Sequence, residues 1–270
     1  MRRRHRSVAL VAGGLALGAL ALAATAALAQ VAPPPVAKEC GDGAVVDHPL
    51  PNSATALQLR KRLKILAIGS TPKAVLGLGR NGTLLERILE RTIKGLDVDI
   101  VNRGFSGELA EAAGERIRIE VALNEPDIVL WQVGTNDALA HVPVDAFEQS
   151  VTGTVQWLKE HKVDVILVGL RYAKSLAKDP HYQAIRTSLS RIAAAEKVLR
   201  IGRYEATEVL SRTMAATDQP VLEDFGQTEA GYNCMAQYIA RTITVGLFAR
   251  PLKKAPAPVP EQAPVPEQGK

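Results

Sequence analysis

Three observations predict an α/β fold, a three-layer α/β/α sandwich around a central parallel sheet. Short runs rich in β-branched residues alternate with longer stretches whose apolar residues recur at three-to-four spacing. That is the pattern of βα units covering both faces of a parallel sheet. Glycine and polar residues cluster just after those runs, where open sheets of this kind bind ligands. Finally, 270 residues that are 47% hydrophobic and 23% charged have the composition of one globular core rather than a disordered or fibrous chain.

The first thirty residues stand apart from that core. Arg2, Arg3, Arg4 and Arg6 precede an apolar run from Val8 to Ala27, which ends in Ala27-Leu28-Ala29. This is the layout of a secretory signal peptide over residues 1–29. The competing reading is an uncleaved membrane anchor, since the run is nearly long enough to span a bilayer. Both place the domain outside the cytoplasm, periplasmic or secreted. The Pro-rich stretch Val31–Pro35 then opens an N-terminal extension, residues 30–60.

Within the domain, residues 61–250, the expected strands are Lys64–Ile68, Val98–Asn102, Ile128–Gln132, Val163–Val168 and Val198–Ile201. The stretches Thr83–Ile93, Leu109–Leu123, Val144–His161, Gln183–Ala195 and Ala230–Phe248 carry helical periodicity. A flavodoxin-like sandwich fits this order. The last segment, 251–270, contains Pro-Val-Pro-Glu-Gln twice, which favours extended chain and cannot bury a core.

Charge and cysteine usage narrow the partners. Residues 1–29 hold four of the 33 Lys+Arg and none of the 28 Asp+Glu, so the remainder has 29 basic against 28 acidic side chains. No basic stripe with interleaved aromatics remains for nucleic acid, and any membrane contact is through the signal segment. Cys40 and Cys234 read either as a disulfide tying the extension to a late helix or as two buried free thiols, and export favours the disulfide. Neither cysteine has a local partner and no two histidines have helical ligand spacing, so no metal site and no cofactor is expected.

Gly77-Leu78-Gly79-Arg80-Asn81-Gly82 spells Gly-x-Gly-x-x-Gly before a helix. A dinucleotide fingerprint should start where the strand ends, yet several residues intervene, and the second strand ends in Asn102 rather than an acid. A flexible loop is the preferred reading.

Four clusters follow strands or precede the last helix: Gly69-Ser70-Thr71, Gly104-Phe105-Ser106-Gly107-Glu108, Gly134-Thr135-Asn136-Asp137, and Glu223-Asp224-Phe225-Gly226-Gln227-Thr228. In this order they resemble the four blocks of the SGNH (GDSL-type) hydrolases, over nearly the whole span from Lys64 to Phe248. The resemblance implies that fold and an ester-hydrolase ancestry. It makes Asn136 and the backbone N–H of Gly107 the oxyanion donors, which stabilise the charge that develops on a carbonyl oxygen during acyl transfer. The competing reading of Gly-Thr-Asn-Asp is a strand-end turn, which such residues favour when they occur alone.

The chain departs from the family at two positions. The nucleophile position of Gly-x-Ser falls on Thr71, whose oxygen sits on a more hindered carbon and whose backbone is restricted by Pro72. Ser70, one residue earlier, belongs to a position that faces elsewhere. In the last block the acid falls on Glu223, but Gly226 stands where the histidine should be. Without an imidazole a hydroxyl stays protonated, so the sequence predicts a catalytically impaired protein that binds an acylated small molecule or a cell-envelope glycan. The alternative is an active carboxylic-ester hydrolase, such as a carbohydrate acetyl esterase, with Thr71 attacking and His141 or His181 as a relocated base. Ser70, Asp137, Arg171 and Tyr172 are the expected ligand-facing groups, the last two suited to an anionic or sugar-like ligand.

Overall fold

A computed structural model describes residues 31–37, 40, 48–70, 76–77, 82–216 and 228–249, the side chains of 210–216 excepted. The signal segment 1–29 and the tail 251–270 expected from sequence lie outside the described residues. From Val31 onward the chain forms one unit. Its elements are α1 (Pro51–Arg60), β1 (Arg62–Gly69), α2 (Leu84–Thr92), β2 (Asp97–Gly104), α3 (Ala110–Asn124), β3 (Ile128–Gln132), α4 (Thr135–Leu139), α5 (Val144–Glu160), β4 (Asp164–Val168), α6 (Pro180–Glu196), β5 (Leu199–Ile201), α7 (Arg203–Ala216) and α8 (Glu229–Phe248).

All the strand pairs are parallel, in the order β2-β1-β3-β4-β5. After β1 the chain adds β2 on one side and then returns to add β3 on the other, so the crevice between the β1 and β3 ends is a topological switch point. The three-layer α/β sandwich predicted from sequence is the fold observed.

Strand alternation sorts the core into two halves. Ile65, Ala67, Leu130 and Ile166 face one side, against α1, α2 and α8. Leu66, Ile68, Trp131 and Leu167 face the other, against α3, α5 and α6. Each fully buried Leu or Ile contributes about 1.5–3 kcal/mol of hydrophobic free energy. Every residue of β3 and β4 is buried, which explains why both strands read as apolar runs, with Gln132 and Asp164 at their ends the polar members.

Local signals set several boundaries. Thr83 and Glu86 form a reciprocal capping box at the start of α2. Asp179 caps α6 by accepting from the Tyr182 N–H at 2.7 Å, and Pro180 occupies the first turn, so this helix starts before the expected Gln183. The ladder between β1 and β2 runs from Arg62↔Asp97 to Gly69↔Gly104, further than the apolar runs at its centre. Helices α1, α4 and α7 were not expected. Of these, α1 arises within the segment read as an extension and packs beneath the sheet through Ala56 and Leu57.

Cys40 and Cys234 form a disulfide with their Cα atoms 5.3 Å apart, in agreement with the expectation from sequence. Around it, the Tyr238 hydroxyl donates to the Cys40 carbonyl and the Ala37 N–H donates to Gln237 Oε1 at 2.7 Å. These bonds fasten the N-terminal lead to α8. Gly77, from the Gly-x-Gly-x-x-Gly stretch, has φ +73, and a Cβ there would meet those of Leu84 and Ala236 at 2.8 and 2.9 Å. This glycine serves helix packing; Gly79 lies outside the described residues.

Candidate functional site

The end of β1 presses directly on β3. Gly69 has φ +137, and a Cβ on it would lie 2.7 Å from both the main-chain oxygen and the Cβ of Gln132, so only glycine fits. Its carbonyl accepts from the Phe105 N–H at 2.9 Å, which ties the loop after β2 to the first block. Ser70 follows, half-buried. Thr71, Glu223 and Gly226, the positions matching the nucleophile, the acid and the histidine, lie outside the described residues.

The second and third blocks meet. Asn136, half-buried at the start of α4, donates from Nδ2 to the Glu108 carbonyl at 2.9 Å. A side-chain amide carries two N–H groups. This bond uses one and fixes the plane of the amide, leaving the other for a further acceptor. Gly107, adjacent to Glu108, has φ +79 with open space where a Cβ would be, so here the backbone conformation rather than crowding calls for glycine. The Glu108 carboxylate is held by Arg116, whose Nε donates at 2.6 Å, and this restrains the loop. Beneath Asn136, Gly134 has φ +100, and a Cβ would sit 2.7 Å from Leu170 Cδ1, which packs the turn tightly on the chain after β4.

The structure places Asp137, expected among the ligand-facing groups, in the interior at 2% exposure. Its Oδ1 accepts from the Ala110 N–H at 2.8 Å. Burial raises its carboxyl above the ordinary aspartate range, opposed by the backbone N–H groups of Ala110, Asp137 and Gly134. Leu109, at the N-cap of α3, has no side chain able to cap, and Asp137 supplies that acceptor from another element.

Arg171 and Tyr172, both half-buried, lie on the connection after β4. The Arg171 main chain is clamped: its N–H donates to Thr135 Oγ1 at 3.0 Å, and its carbonyl accepts from the Tyr182 hydroxyl. Burial raises the Tyr182 phenol. The Arg171 Nε is buried without a hydrogen-bond partner. Tyr172 stands edge-on to Tyr204 at 5.0 Å between ring centroids. Arg203, which opens α7 after β5, is 3% exposed; burial first, and then the charge of Arg171, lower its pKa to about 10.

His141 and His181 come together, their ring centroids 5.1 Å apart, although 40 residues separate them in sequence. His141 directly follows α4 and is exposed; His181 is in the first turn of α6, and its Nε2 is buried without a partner. Thr135 and Arg203 were not picked out from sequence, though both sit close behind a strand end. Among the described residues, no group of three or more His, Cys, Asp or Glu is placed to hold a metal ion.

Residues 40–248 match the non-GDSL lipase-like family. Esterase TesA of Pseudomonas aeruginosa is 24% identical over 135 residues, 49% of this chain and 66% of the esterase. The match therefore spans a little under two thirds of that relative's length. Among solved structures, an acetylxylan esterase from Geobacillus stearothermophilus is 21% identical with a TM-score of 0.54, covering 67% of this chain and 94% of that one. A lipase/acylhydrolase from Enterococcus faecalis is 24% identical with a TM-score of 0.52, covering 67% and 95%. These structural likenesses show a shared fold.

Proposed function

We propose, from the premise that this chain belongs to the non-GDSL lipase-like family of the SGNH/GDSL-type hydrolases, that it is an exported, catalytically impaired member. On this reading it keeps the oxyanion arm and binds acylated or glycan ligands of the cell envelope. One observation carries it: Asn136 is locked on the Glu108 carbonyl beside Gly107, an assembled donor arm, in a chain whose histidine position is Gly226. An ester carbonyl can accept from a preset amide N–H without any bond being broken. Export is supported by the basic and apolar N-terminus and by a disulfide of the kind that persists in oxidising compartments.

A second reading, an active carboxylic-ester hydrolase such as a carbohydrate acetyl esterase, is favoured by the His141–His181 pair at the same sheet edge. In it the Thr71 oxygen bonds to the acyl carbon while an imidazole takes its proton. The imidazole then returns that proton to the departing alcohol, and water releases the acid. The test is 4-nitrophenyl acetate hydrolysis by residues 30–270 and the variants Thr71→Ala and Asn136→Ala. An impaired protein shows the same background rate in all three. Loss of about 100-fold or more in both variants would replace the first reading by the second.

A further inference from the structure

Two buried nitrogens, one on the connection after β4 and one in the first turn of α6, are left without partners, and both flank the short helix that carries Asn136. The Arg171 Nε is buried and unpartnered, while its backbone N–H fixes Thr135 at the first residue of that helix. The His181 Nε2 is buried and unpartnered, while its ring packs at 5.1 Å from His141, just past the helix end. A buried donor without an acceptor costs about 1–3 kcal/mol, more when it is charged, so such groups call for an explanation. The same edge of the sheet contrasts with the loop after β2, where Arg116 is satisfied by Glu108.

A guanidinium offers only donors, in a planar fork that suits a carboxylate or a phosphate. The imidazole of His181 can donate from Nε2 to the same kind of oxygen. The guanidinium cannot be satisfied by another donor, and Arg171 already disfavours the charged form of Arg203 nearby. The missing complement is an acceptor that carries negative charge.

We propose that Arg171 and His181 form an oxyanion-substituent subsite beside Asn136, so that the preferred ligands are acyl esters bearing a carboxylate or phosphate. This rests on the oxyanion-arm reading for the ester end of the ligand; the anionic end is assigned independently. Tyr172, half-buried and braced edge-on by Tyr204, is placed on the same connection to cover the carbon chain between the two ends.

A matched pair of probes tests it: monomethyl succinate and methyl butyrate, which differ by a carboxylate in place of a methyl group. Dissociation constants are measured by ligand-observed NMR on residues 30–270, with inorganic phosphate as a third probe. The expected result is that the succinate half-ester binds about tenfold or more tightly than the butyrate ester, the range of one charge-assisted hydrogen bond. Arg171→Met and His181→Phe should remove that advantage and leave methyl butyrate binding unchanged. Inorganic phosphate should compete with the half-ester but not with methyl butyrate.

Equal binding of the two esters to the unaltered protein would overturn the subsite, with no variant needed. So would an Arg171→Met protein of unchanged melting temperature that keeps the tenfold preference. If Asn136→Ala leaves every affinity unchanged while Arg171→Met still abolishes phosphate binding, the subsite stands and the oxyanion-arm reading falls.

Discussion

The two ends of the parallel sheet treat their polar groups in opposite ways. At the end where strands begin, Asp164 accepts from Asn52 Nδ2 at 2.9 Å, from the Ser53 N–H at 2.8 Å and from Ser53 Oγ at 2.7 Å. Asp127 beside it accepts from the Lys64 N–H at 2.9 Å and pairs with Arg60. Those carboxylates hold α1 and the entry to β1 in place. Where strands end, Arg171 Nε and His181 Nε2 are buried with nothing to meet them. The difference is local: the strand-end edge also pairs Asp137, Asn136 and Thr135 within the fold, but it leaves these two nitrogens unpaired.

The contrast breaks most visibly at Asp164. Asp164→Ala strands the three donors it holds, and the expected loss is about 2–4 kcal/mol in urea denaturation. Binding at the opposite edge should be unchanged in that variant. A loss of ligand affinity without loss of stability would mean that the two edges are not separate.

A smaller effect is expected with pH. Burial, the leading cause, raises the Asp164 carboxyl despite its bonds from Ser53 and Asn52, and it raises Asp137 likewise. A raised folded-state pKa means that the native protein holds its proton more tightly than the unfolded chain does. The stability from these two groups is thus fully present below the unfolded value of about 3.9 and is lost as pH rises through the folded values. Asp164→Asn should flatten the stability curve over that interval; an unchanged slope would remove Asp164 as its source.

The smallest effect is expected at the other edge. Arg171→Met leaves the backbone bonds to Thr135 and Tyr182 intact and deletes a guanidinium whose Nε has no partner. Its stability should not fall in the same urea assay, and it should rise by up to about 1 kcal/mol where the lost apolar contacts of the arginine stem leave part of the removed cost uncancelled. A loss comparable to that of Asp164→Ala would show that this edge, too, is built for stability.

The strands were legible because β3 and β4 are buried on both faces, so their apolar runs had no competing pattern. Helix α1 was not. It begins at Pro51, two residues after Pro49, it buries only Ser53, Ala56 and Leu57, and Leu59 faces outward at 79% exposure, so no apolar stripe announces it. In the candidate site, Gly107 and Asn136 were named from block order and residue type, and the structure joins their loops through the bond from Asn136 to the Glu108 carbonyl. The role of Asp137 could not, since a carboxylate that caps a distant helix and one that faces a ligand are written with the same letter. The His141–His181 pair depends on how α6 packs beside α4, a tertiary fact that no local spacing encodes.

The link between Cys40 and Cys234 spans 194 positions, and every strand lies between them. The sheet is therefore threaded on a covalent ring. A protease that severs one peptide bond inside this ring, in an exposed connection such as the one after β4, yields no separate fragment until the disulfide is reduced. A chain nicked once in this way still holds together.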